Sequence, residues 1–377
     1  MKYIPYAKQW ILDDDVDIVA DSLRSDYLTQ GSKVLEFENK TARYCGTKYA
    51  VAMSSGTAAL HAAAFVAGIK HGDEVITSPI TFVASANCVL YCGGKPVFAD
   101  IEEDTINIDP NEITKKITTK TKAIIPVHFA GHPCDLEEIH DIAKKHNLII
   151  IEDACHALGA EYNDSKIGAC KYSDMTVLSF HAVKHITTGE GGMILTNNEN
   201  YYKRLLMFRT HGITRDPNKI INSDEGDWYY EMQFLGFNYR ITDFQCALGI
   251  SQLKKLGQFI ERRREIVKKY NEEFDGLEDI ILPVEKQDVK SSWHLYYIRV
   301  KRDRKAIFKK LREEGIGVNV HYIPVYYQPY YKNLGYKDHL CPKAEDYYDR
   351  TITLPLYPKM TDNAVDKVIE IMRKVVA

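Results

Sequence analysis

Short apolar runs rich in β-branched residues recur through the first half of the sequence, separated by segments with helical periodicity such as residues 135–146. The runs are Tyr49–Met53, Glu74–Ser78, Pro96–Asp100, Ala123–Val127, Leu148–Glu152, Thr176–Phe180 and Gly192–Thr196. Continuous apolar runs are typical of strands buried on both faces, and intervening helices indicate βαβ crossovers. The pattern therefore predicts an α/β fold whose large domain contains a mostly parallel, seven-stranded sheet.

Two helical patterns precede the strands. One face of the first carries Val16, Val19, Ala20 and Leu23, and one face of the second carries Val34, Phe37 and Tyr44. This spacing predicts two amphipathic helices. We expect them to belong to the large domain.

The strand pattern ends after Leu195, where a polar and aromatic stretch, 209–239, is interpreted as a loop. A helix is predicted from about Thr242. It continues into a basic run, Arg262-Arg263-Arg264, which is typical of a solvated helix face.

A smaller α+β unit is predicted from about Gly257. Its predicted elements are a strand over 295–300, a helix over 305–314 and a strand over 318–321. The predicted domains are therefore residues 1–256 and 257–377.

The composition excludes several classes of protein. A net charge of −3 argues against a dedicated nucleic-acid-binding protein. The 8 cysteines are scattered without a C-x-x-C pair, which favours reduced thiols in a cytosol. The acidic Asp13-Asp14-Asp15 interrupts any signal-like segment, and no apolar run reaches the roughly 18 residues of a membrane helix. A cytoplasmic enzyme is expected.

Lys184 lies in an unusually apolar setting. It is the only permanently charged residue between Asp174 and Glu190, in the stretch M-T-V-L-S-F-H-A-V-K-H-I-T-T-G-E-G-G. Loss of hydration lowers the pKa of a lysine, and a neutral amine can attack a carbonyl. Lys184 is therefore a candidate Schiff-base former, the alternative being a lysine that snorkels out of an apolar strand end.

A run of small residues, Ser54-Ser55-Gly56-Thr57-Ala58-Ala59, follows the first strand and opens an Ala-rich helix. Small side chains let a ligand approach the backbone, and free N–H groups at a helix start favour an anion. The run predicts a phosphate site, or alternatively a plain N-capped helix. The absence of a Walker lysine pattern and of G-x-G-x-x-G disfavours a nucleoside triphosphatase and a dinucleotide enzyme.

The strand before Asp153 ends in two carboxylates, Glu152 and Asp153, followed by His156. Ligands of open α/β sheets bind at the carboxyl ends of strands, and an aspartate there could keep a pyridine nitrogen protonated. Alternation along the strand sends the two carboxylates to opposite sides, so only one can face a ligand. A loop-capping aspartate is the alternative.

Three weaker motifs accompany these. Phe82 could lie against a flat ring or be part of the core, and the segment 236–240 could bind phosphate or cap a helix. A tyrosine cluster could line a nucleotide or sugar groove or cover a surface; it comprises Tyr322, Tyr326, Tyr327, Tyr330 and Tyr331.

Metal and hydrolase chemistry are not expected. Two H-x-x-x-H pairs, His128/His132 and His181/His185, follow predicted strands, where residues i and i+4 do not reliably converge as they would on a helix. No G-x-S-x-G elbow is present. The sequence therefore predicts no metal site and no serine-hydrolase triad.

Together, the motifs resemble those of the DegT/DnrJ/EryC1/StrS family of sugar-nucleotide aminotransferases, which are fold-type-I enzymes dependent on pyridoxal 5'-phosphate (PLP). The resemblance extends from about Tyr6 to the C-terminus, with the motifs in family order. One cofactor explains them jointly, because PLP needs a lysine, an anion site, a carboxylate for its ring nitrogen and a flat partner. The resemblance implies a homodimer with shared active sites.

The resemblance also assigns roles to matching residues. Lys184 corresponds to the family's aldimine lysine, Asp153 to the partner of the ring nitrogen and Phe82 to the stacking aromatic. His156 corresponds to a neighbour of the ring oxygen, and Asn238 to a residue that reaches the cofactor phosphate from the partner subunit. The phosphate cradle corresponds to Ser55, Gly56, Thr57, Ala58 and Ser179.

Within the family, the likeness is to members that aminate UDP-linked 4-keto sugars, which implies L-glutamate as donor. The residues implied to touch the sugar nucleotide are Tyr6, Tyr27, Leu28, Thr29, Gln30, His181, Asn238, Arg240, His321 and Tyr322. His185 departs from the pattern, because Pro or a small apolar residue is expected there.

Three other functions are weighed against this one. A different ketosugar, such as a dTDP-linked 3-keto hexose, would leave the motifs unchanged. Family members that dehydrate the sugar carry His in place of Lys184. A non-catalytic PLP-binding regulator would need an appended DNA-binding or partner domain, for which a chain of 377 residues leaves no room.

Overall fold

A computed structural model describes residues 3–222 and 225–376. The helices over these residues are α1 (Asp13–Leu23), α2 (Ser32–Cys45), α3 (Gly56–Val66), α4 (Ala84–Tyr91), α5 (Pro110–Lys116), α6 (Leu136–His146), α7 (Glu199–Phe208), α8 (Asp243–Phe274), α9 (Arg304–Glu313), α10 (Pro329–Asn333), α11 (Pro342–Arg350) and α12 (Asp362–Val376). Short 3-10 helices occupy Phe129–Gly131 and Val325–Tyr327.

The strands are β1 (Tyr49–Met53), β2 (Glu74–Thr77), β3 (Lys95–Phe98), β4 (Thr121–Ile125), β5 (Ile149–Asp153), β6 (Glu161–Tyr162), β7 (Ser165–Lys166), β8 (Met175–Ser179), β9 (Gly192–Thr196), β10 (Ile213–Thr214), β11 (Glu231–Met232), β12 (Ile280–Ile281), β13 (Val289–Lys290), β14 (Tyr296–Val300) and β15 (Thr351–Leu354). The pair β10 and β11 forms a short hairpin within the stretch interpreted as a loop.

The central sheet has seven strands in the order β1-β9-β8-β5-β4-β2-β3. Strand β9 runs antiparallel to both of its neighbours, and the other pairings are parallel. The predicted α/β fold with a mostly parallel seven-stranded sheet is therefore confirmed. The strand bounds differ from the predicted ones by at most two residues.

Both faces of this sheet are covered, as the continuous apolar strands predict. Along β5, Ile150 belongs to one core cluster and Ile151 to another, and along β1 the same division separates Ala52 from Met53. The Ala-rich α3 is buried along most of its length. Its small side chains let it lie close to the strands that carry the site.

The smaller C-terminal unit is built on the antiparallel sheet β12-β14-β15. The strand predicted over 318–321 is wrong. Only Asn319 pairs there, in a single bridge to Thr353, and the carbonyl of His321 accepts a hydrogen bond from the hydroxyl of Tyr347 instead of a strand partner. The segment therefore leaves the sheet.

Helix α8 passes through the predicted domain boundary at Gly257. Its first half contributes Leu256 to a core beneath the central sheet, and its second half contributes Tyr270 and Phe274 to the core of the C-terminal unit. Near the N-terminus, Ile4 also joins that second core. The division at residues 256 and 257 stays a prediction.

The middle residue of the basic run on α8 is not solvated, whereas Arg262 and Arg264 are partly exposed. Arg263 is 1% exposed, and its guanidinium donates to the carbonyl oxygens of Trp293, His294 and Leu356 at 3.0–3.3 Å. Burial lowers the pKa of Arg263 to about 9. The charge is retained inside because three backbone acceptors surround it.

Within the described residues, every helix is too short or too polar to cross a lipid bilayer.

Candidate active site

A cavity of about 700 Å³ opens at the carboxyl ends of β5 and β8, beside the start of α3. Carboxyl ends of parallel strands are where open α/β sheets bind ligands. Most of the residues singled out in the sequence line it: Tyr6, Ser55, Gly56, Thr57, Phe82, Asp153, His156, Ser179, His181, Lys184, His321 and Tyr322.

Lys184 lies half-buried on the loop that leads from β8 to β9. Its backbone N–H donates to the carbonyl of His181 at 2.9 Å, which closes a tight turn. Burial lowers the pKa of Lys184, while Cys155 and Asp153 act in the opposite direction. The amine therefore releases its proton more readily than a solvated lysine does.

The two carboxylates at the end of β5 face opposite sides of the sheet, as the alternation predicts. Asp153 lines the cavity, where its carboxylate accepts hydrogen bonds from the hydroxyl of Ser85 and the backbone N–H of Cys155. Glu152 instead lies 2.8 Å from Nε2 of His128 and accepts from Thr176 at 3.1 Å. Only Asp153 is therefore available to a ligand.

The start of α3 forms a cradle for an anion. Ser55 caps the helix by accepting from the N–H of Ala58 at 3.1 Å, and Gly56 and Thr57 border the cavity. A Cβ atom added to Gly56 would lie 3.0 Å from Cβ and 3.1 Å from Oγ of Ser179. Glycine keeps this gap open to a ligand.

Ala58 does not line the cavity. Its side chain is buried, and its N–H is already satisfied by the cap. The N–H of Ala58 is therefore not available to donate to a ligand, because it already donates to the hydroxyl of Ser55.

His156 is held in the cavity wall by aromatic rings. Its Nε2 lies 3.2 Å from the hydroxyl of Tyr322, and the ring of His294 packs 4.4 Å from its ring centroid. Among the described residues, Nδ1 of His156 and Nδ1 of His294 are buried without a hydrogen-bond partner. Burial, with the charge of Lys184, holds the pKa values of both imidazoles well below the usual range.

Phe82 projects into the cavity with 59% of its surface exposed. A phenyl ring left this open is available to stack on a planar ligand. The loop that carries it is fixed by Thr81 and Ser85, whose hydroxyls are 2.7 Å apart. Ser85 connects this loop to Asp153.

The opposite wall comes from the C-terminal unit and the N-terminal segment. The ring centroids of Tyr6 and His321 are 5.6 Å apart, and Nδ1 of His321 lies 2.9 Å from the hydroxyl of Thr353. Burial and the positive charge of Lys184 lower the pKa of His321 to about 4. At the exposed mouth, Nε2 of His181 lies 4.0 Å from a carboxylate oxygen of Glu190.

A second set of predicted contacts lies outside this cavity. Backbone bridges join Thr29 to Thr242 and Asn238 to Thr210, so residues 27–30 and 238–240 lie beside the start of α8. Tyr27 is 66% exposed, and Asn238 is exposed as well. Gln30 and Arg240 border a separate hollow of about 350 Å³. The described chain does not bring this set to Lys184.

Two tyrosines of the predicted cluster and one of the histidine pairs make structural contacts. Tyr326 and Tyr331 are buried, and the hydroxyl of Tyr331 donates to Asn87 in α4 at 2.7 Å. The paired histidines diverge, because His132 accepts from the N–H of Lys286 while His128 contacts Glu152. Over residues 3–222 and 225–376, no three His, Cys, Asp or Glu side chains are grouped as a metal site would require.

Sequence reasoning missed two site residues, Ser85 and His294. Ser85 follows the Thr81–Ala84 motif directly, and its link to Asp153 spans 68 positions. His294 sits in a turn held by its own N–H, which donates to the carbonyl of Ala130 at 2.7 Å. Neither contact produces a recognisable pattern in the nearby sequence. The only available signal was that Ser85 lies next to the Thr81–Ala84 motif.

The geometry fits the cofactor that the resemblance implies. The gap at Gly56 and the helix start suit a phosphate, and Asp153 suits a protonated ring nitrogen. His156 lines the same cavity, and Phe82 suits a ring face. The described residues meet each chemical demand of a phosphorylated pyridine aldehyde.

Comparisons of the sequence and of the fold with known proteins identify the same family. Residues 10–373 match the model of the DegT/DnrJ/EryC1/StrS aminotransferase family. The spore coat polysaccharide biosynthesis protein SpsC of Bacillus subtilis is 41% identical over 381 residues, which cover 99% of this chain and 97% of that protein.

A second relative has a named reaction. The UDP-4-amino-4,6-dideoxy-N-acetyl-beta-L-altrosamine transaminase of Campylobacter jejuni is 38% identical over 364 residues, covering 95% of this chain and 93% of that protein. Among solved structures, a Streptococcus pneumoniae protein described as a sugar aminotransferase, in its PLP form, superimposes with a TM-score of 0.92 and 34% identity. The match covers 99% of this chain and 98% of that one.

Proposed function

Since this chain belongs to the DegT/DnrJ/EryC1/StrS aminotransferase family and has the fold of its sugar aminotransferases, we propose that it uses PLP to aminate a UDP-linked sugar. The proposed acceptor is the 4-keto group of a UDP-linked 4-keto-6-deoxy-N-acetylhexosamine, and the proposed donor is L-glutamate. The product would be a UDP-4-amino sugar for a pathway of the pseudaminic acid type. A cytoplasmic location stays a prediction.

One observation carries the proposal. Lys184, Asp153, Phe82 and the cradle at Gly56 come from separate parts of the chain and line one cavity. Each group alone has an ordinary structural explanation. Their convergence is what a single PLP-sized ligand requires.

Lys184 would serve as covalent anchor and proton carrier. Its lowered pKa lets Nζ accept a proton from the amino-acid carbon, and the resulting ammonium can return it to a neighbouring carbon. Bound PLP would supply the electron sink that makes this carbon acidic. Asp153 would hold a proton on the ring nitrogen, since its carboxylate already faces the cavity.

The opposite wall would bind the sugar nucleotide. Tyr6 and His321 offer aromatic surface and polar atoms on the wall formed by the N-terminal segment and the C-terminal unit, and His181 adds an imidazole at the mouth. Ketosugars present hydroxyl and carbonyl groups that such side chains can hydrogen-bond.

A homodimer would complete the site. Asn238, Arg240 and residues 27–30 do not line the subunit's own cavity, and Gln30 and Arg240 border a separate hollow. Leu235, three positions before Asn238 in the sequence, is 72% exposed and leaves apolar area open. An apolar surface of this kind is typical of an interface, which supports delivery of Asn238 to the partner's cavity.

The decisive experiment is an absorbance spectrum of the purified protein during sequential additions. L-Glutamate should remove the band of the lysine-bound cofactor, and UDP-4-keto-6-deoxy-N-acetylhexosamine should restore it. Lys184→Ala should neither display the band nor turn over. A wild-type protein without such a band, or a Lys184→Ala variant that still cycles, would refute the proposal.

The same titration tests a second candidate substrate. SpsC is a polysaccharide biosynthesis protein of higher identity than the named transaminase, which favours testing other nucleotide-linked ketosugars. Restoration of the band by a dTDP-linked 3-keto or 4-keto hexose, and not by the UDP sugar, would identify that acceptor instead.

The shared site can be tested by subunit mixing. Lys184→Ala and Asn238→Ala homodimers should each be impaired, while refolded mixtures should regain activity because a mixed dimer contains one site with both residues. A mixture no more active than its components would exclude delivery of Asn238 from the partner subunit.

A further inference from the structure

His185 follows Lys184 directly in the sequence, but its imidazole is buried behind the cavity wall. The side chain is 3% exposed, and its ring centroid lies 5.4 Å from that of His294. Burial, together with the positive charges of Arg263 and Lys184, holds the pKa of His185 well below the usual range. The imidazole is therefore neutral near pH 7 and carries one proton, on one of its two nitrogens.

The contact that His185 makes determines which nitrogen carries this proton. Nε2 lies 3.1 Å from the backbone carbonyl oxygen of Ser292, a residue with no exposed surface. A carbonyl oxygen can only accept a hydrogen bond, so the proton lies on Nε2 and is donated to Ser292. His185 is therefore held by a directional bond inside the protein.

Ser292 also contacts two other loops that border the site. Its N–H donates to the carbonyl of Gly131, after β4, at 3.1 Å. Its hydroxyl donates to the carbonyl of His156, after β5, at 3.2 Å. Ser292 thus joins the loop of Lys184 to the loop that follows Asp153.

The backbone around Ser292 is unusually close and constrained. A Cβ atom added to Gly131 would lie 2.8 Å from the backbone nitrogens of Trp293 and His294 and 2.9 Å from the carbonyl oxygen of His156. Trp293 has a φ of 49°, in the left-handed region that a bulky residue seldom adopts. Such conformations persist only where the surrounding structure enforces them, and they are found mainly at functional sites.

The loop that carries Lys184 depends on His185 for a directional attachment. Within the part of the chain that the structure describes, residues 181–186 form one hydrogen bond to a segment outside this loop and the strands that it joins, and it is the bond from His185 to Ser292. Ile186 packs into the core, but apolar packing is not directional. Because the intervening peptide is planar, fixing His185 restricts the backbone of Lys184.

From these contacts we propose that His185 is a positioning residue, whose Nε2–H bond to Ser292 fixes Lys184 relative to the loop that follows Asp153. The inference rests on the proposed roles of Lys184 and Asp153 toward PLP. Proton transfer depends steeply on distance, and a misplacement of about 1 Å can cost about 100-fold in rate. His185 therefore contributes to the proton-transfer step and not to the binding of the sugar.

His185→Leu and His185→Gln are the matched test variants. Leucine retains apolar volume and loses the donor, whereas the amide nitrogen of glutamine can donate to the same carbonyl. Ser292→Ala removes the hydroxyl bond to His156 and retains the carbonyl that His185 uses. The control is His146→Leu at the exposed end of α6, which should change neither of the two readouts.

The first readout is hydrogen exchange of the cofactor-free protein, measured on peptides by mass spectrometry. His185→Leu should raise the exchange rate over residues 181–187 by about tenfold or more, without an equal rise in the rest of the protein. His185→Gln should restore the protection. A residue that only fills space in the core would instead alter exchange throughout the chain.

The second readout is the rate at which saturating L-glutamate removes the absorbance band of the loaded protein. His185→Leu should slow this step by about 10- to 100-fold. Deuterium on the α-carbon of glutamate should slow it further, because proton transfer then limits the rate. His185→Gln should be within about threefold of wild type, and the KM of the sugar should be unchanged in both variants.

Each result supports or overturns the proposal. Unchanged exchange over residues 181–187 in His185→Leu, an unchanged rate of the glutamate step, or a slowing that His185→Gln does not rescue would overturn it. Should His185→Leu not fold, Ser292→Ala decides the question, because it should slow the same step by about threefold or more. Absence of any cofactor band in wild type would instead refute the proposed function, while hydrogen exchange would still decide whether His185 holds the loop.

Discussion

The hydroxyl of Ser85 donates a hydrogen bond of 2.6 Å to Oδ2 of Asp153. The hydroxyl of Thr81 lies 2.7 Å from Ser85, and the N–H of Cys155 donates to Oδ1 of Asp153 at 3.2 Å. These bonds fix the carboxylate before a ligand arrives and tie it to the loop that presents Phe82. A carboxylate oriented in this way loses little freedom when it meets a protonated ring nitrogen.

Asp153→Asn and Glu152→Gln should have opposite effects. Removing the Asp153 charge should lower turnover by roughly 100-fold or more with little change in thermal stability, because the carboxylate faces the cavity. Glu152→Gln weakens bonds to His128 and Thr176, so it should lower the free energy of unfolding by about 1–3 kcal/mol and retain the cofactor. Steady-state kinetics and urea unfolding separate the two, and the reverse outcome would transfer the ring-nitrogen role to Glu152.

Gly56→Ala should weaken cofactor binding. The new methyl group would lie 3.0 Å from Cβ of Ser179, so the cradle must widen or lose its closest contacts. We expect a loss of about tenfold or more in affinity for PLP, measured by fluorescence titration of the cofactor-free protein.

Gly257→Ala is the matched control. Gly257 lies within α8, and nothing lies within 4 Å of an added Cβ. This change should leave affinity for PLP unaltered and stabilise the helix by about 0.5–1 kcal/mol. Equal losses of affinity in both variants would show that the effect at residue 56 is not local to the cradle.

Arg263→Ala should destabilise the protein strongly. It would leave the carbonyls of Trp293, His294 and Leu356 without their donor in a buried site. We expect a loss of about 3 kcal/mol or more in the free energy of unfolding. The exposed Lys268 on the same helix is the control, and its replacement by Ala should change stability by no more than about 0.5 kcal/mol. Similar small effects at both positions would contradict a structural role for the buried guanidinium.

Stability should fall as the pH drops from about 6.5 to 4. The folded pKa of His321 is about 4, below the value near 6.5 of an unfolded histidine. The unfolded chain therefore binds a proton that the folded chain does not, and the difference reaches about 3 kcal/mol below pH 4. Buried His156, His185 and His294 act in the same direction.

His321→Asn isolates this contribution. Urea unfolding at pH 7 and pH 5 should reveal a smaller loss of stability in the variant than in wild type. An equal loss in both proteins would mean that other groups account for the acid sensitivity.

The sheet and the opposite facing of Glu152 and Asp153 were predictable because burial on both faces and alternation along a strand are local properties of sequence. The conformation of the segment 318–321 was not predictable. Its apolar residues suit a strand, but its backbone pairs only through Asn319. Arg263 likewise gave a misleading signal. Three arginines in a row favour solvent, and only carbonyls distant in the sequence make the burial of one of them possible.

The site itself was predictable where a residue follows a strand or opens a helix, as Lys184 and Gly56 do. The roles of Ser85 and His294 were not predictable, because the residues they contact, Asp153 and His156, are distant in the sequence. Tyr322 was identified for a sugar contact, but its bond to His156 depends on how the C-terminal unit is seated.

The length of α8 limits how relatives of this protein could be recombined. Helix α8 packs Leu256 into one core and Tyr270 into another. A chimaera joined at Gly257 would therefore combine the two halves of this helix from different proteins. The side chains of each half would then have to pack against a core that comes partly from the other parent. Acceptor preference is therefore better exchanged through the loops that border the cavity than by transplanting the whole C-terminal part.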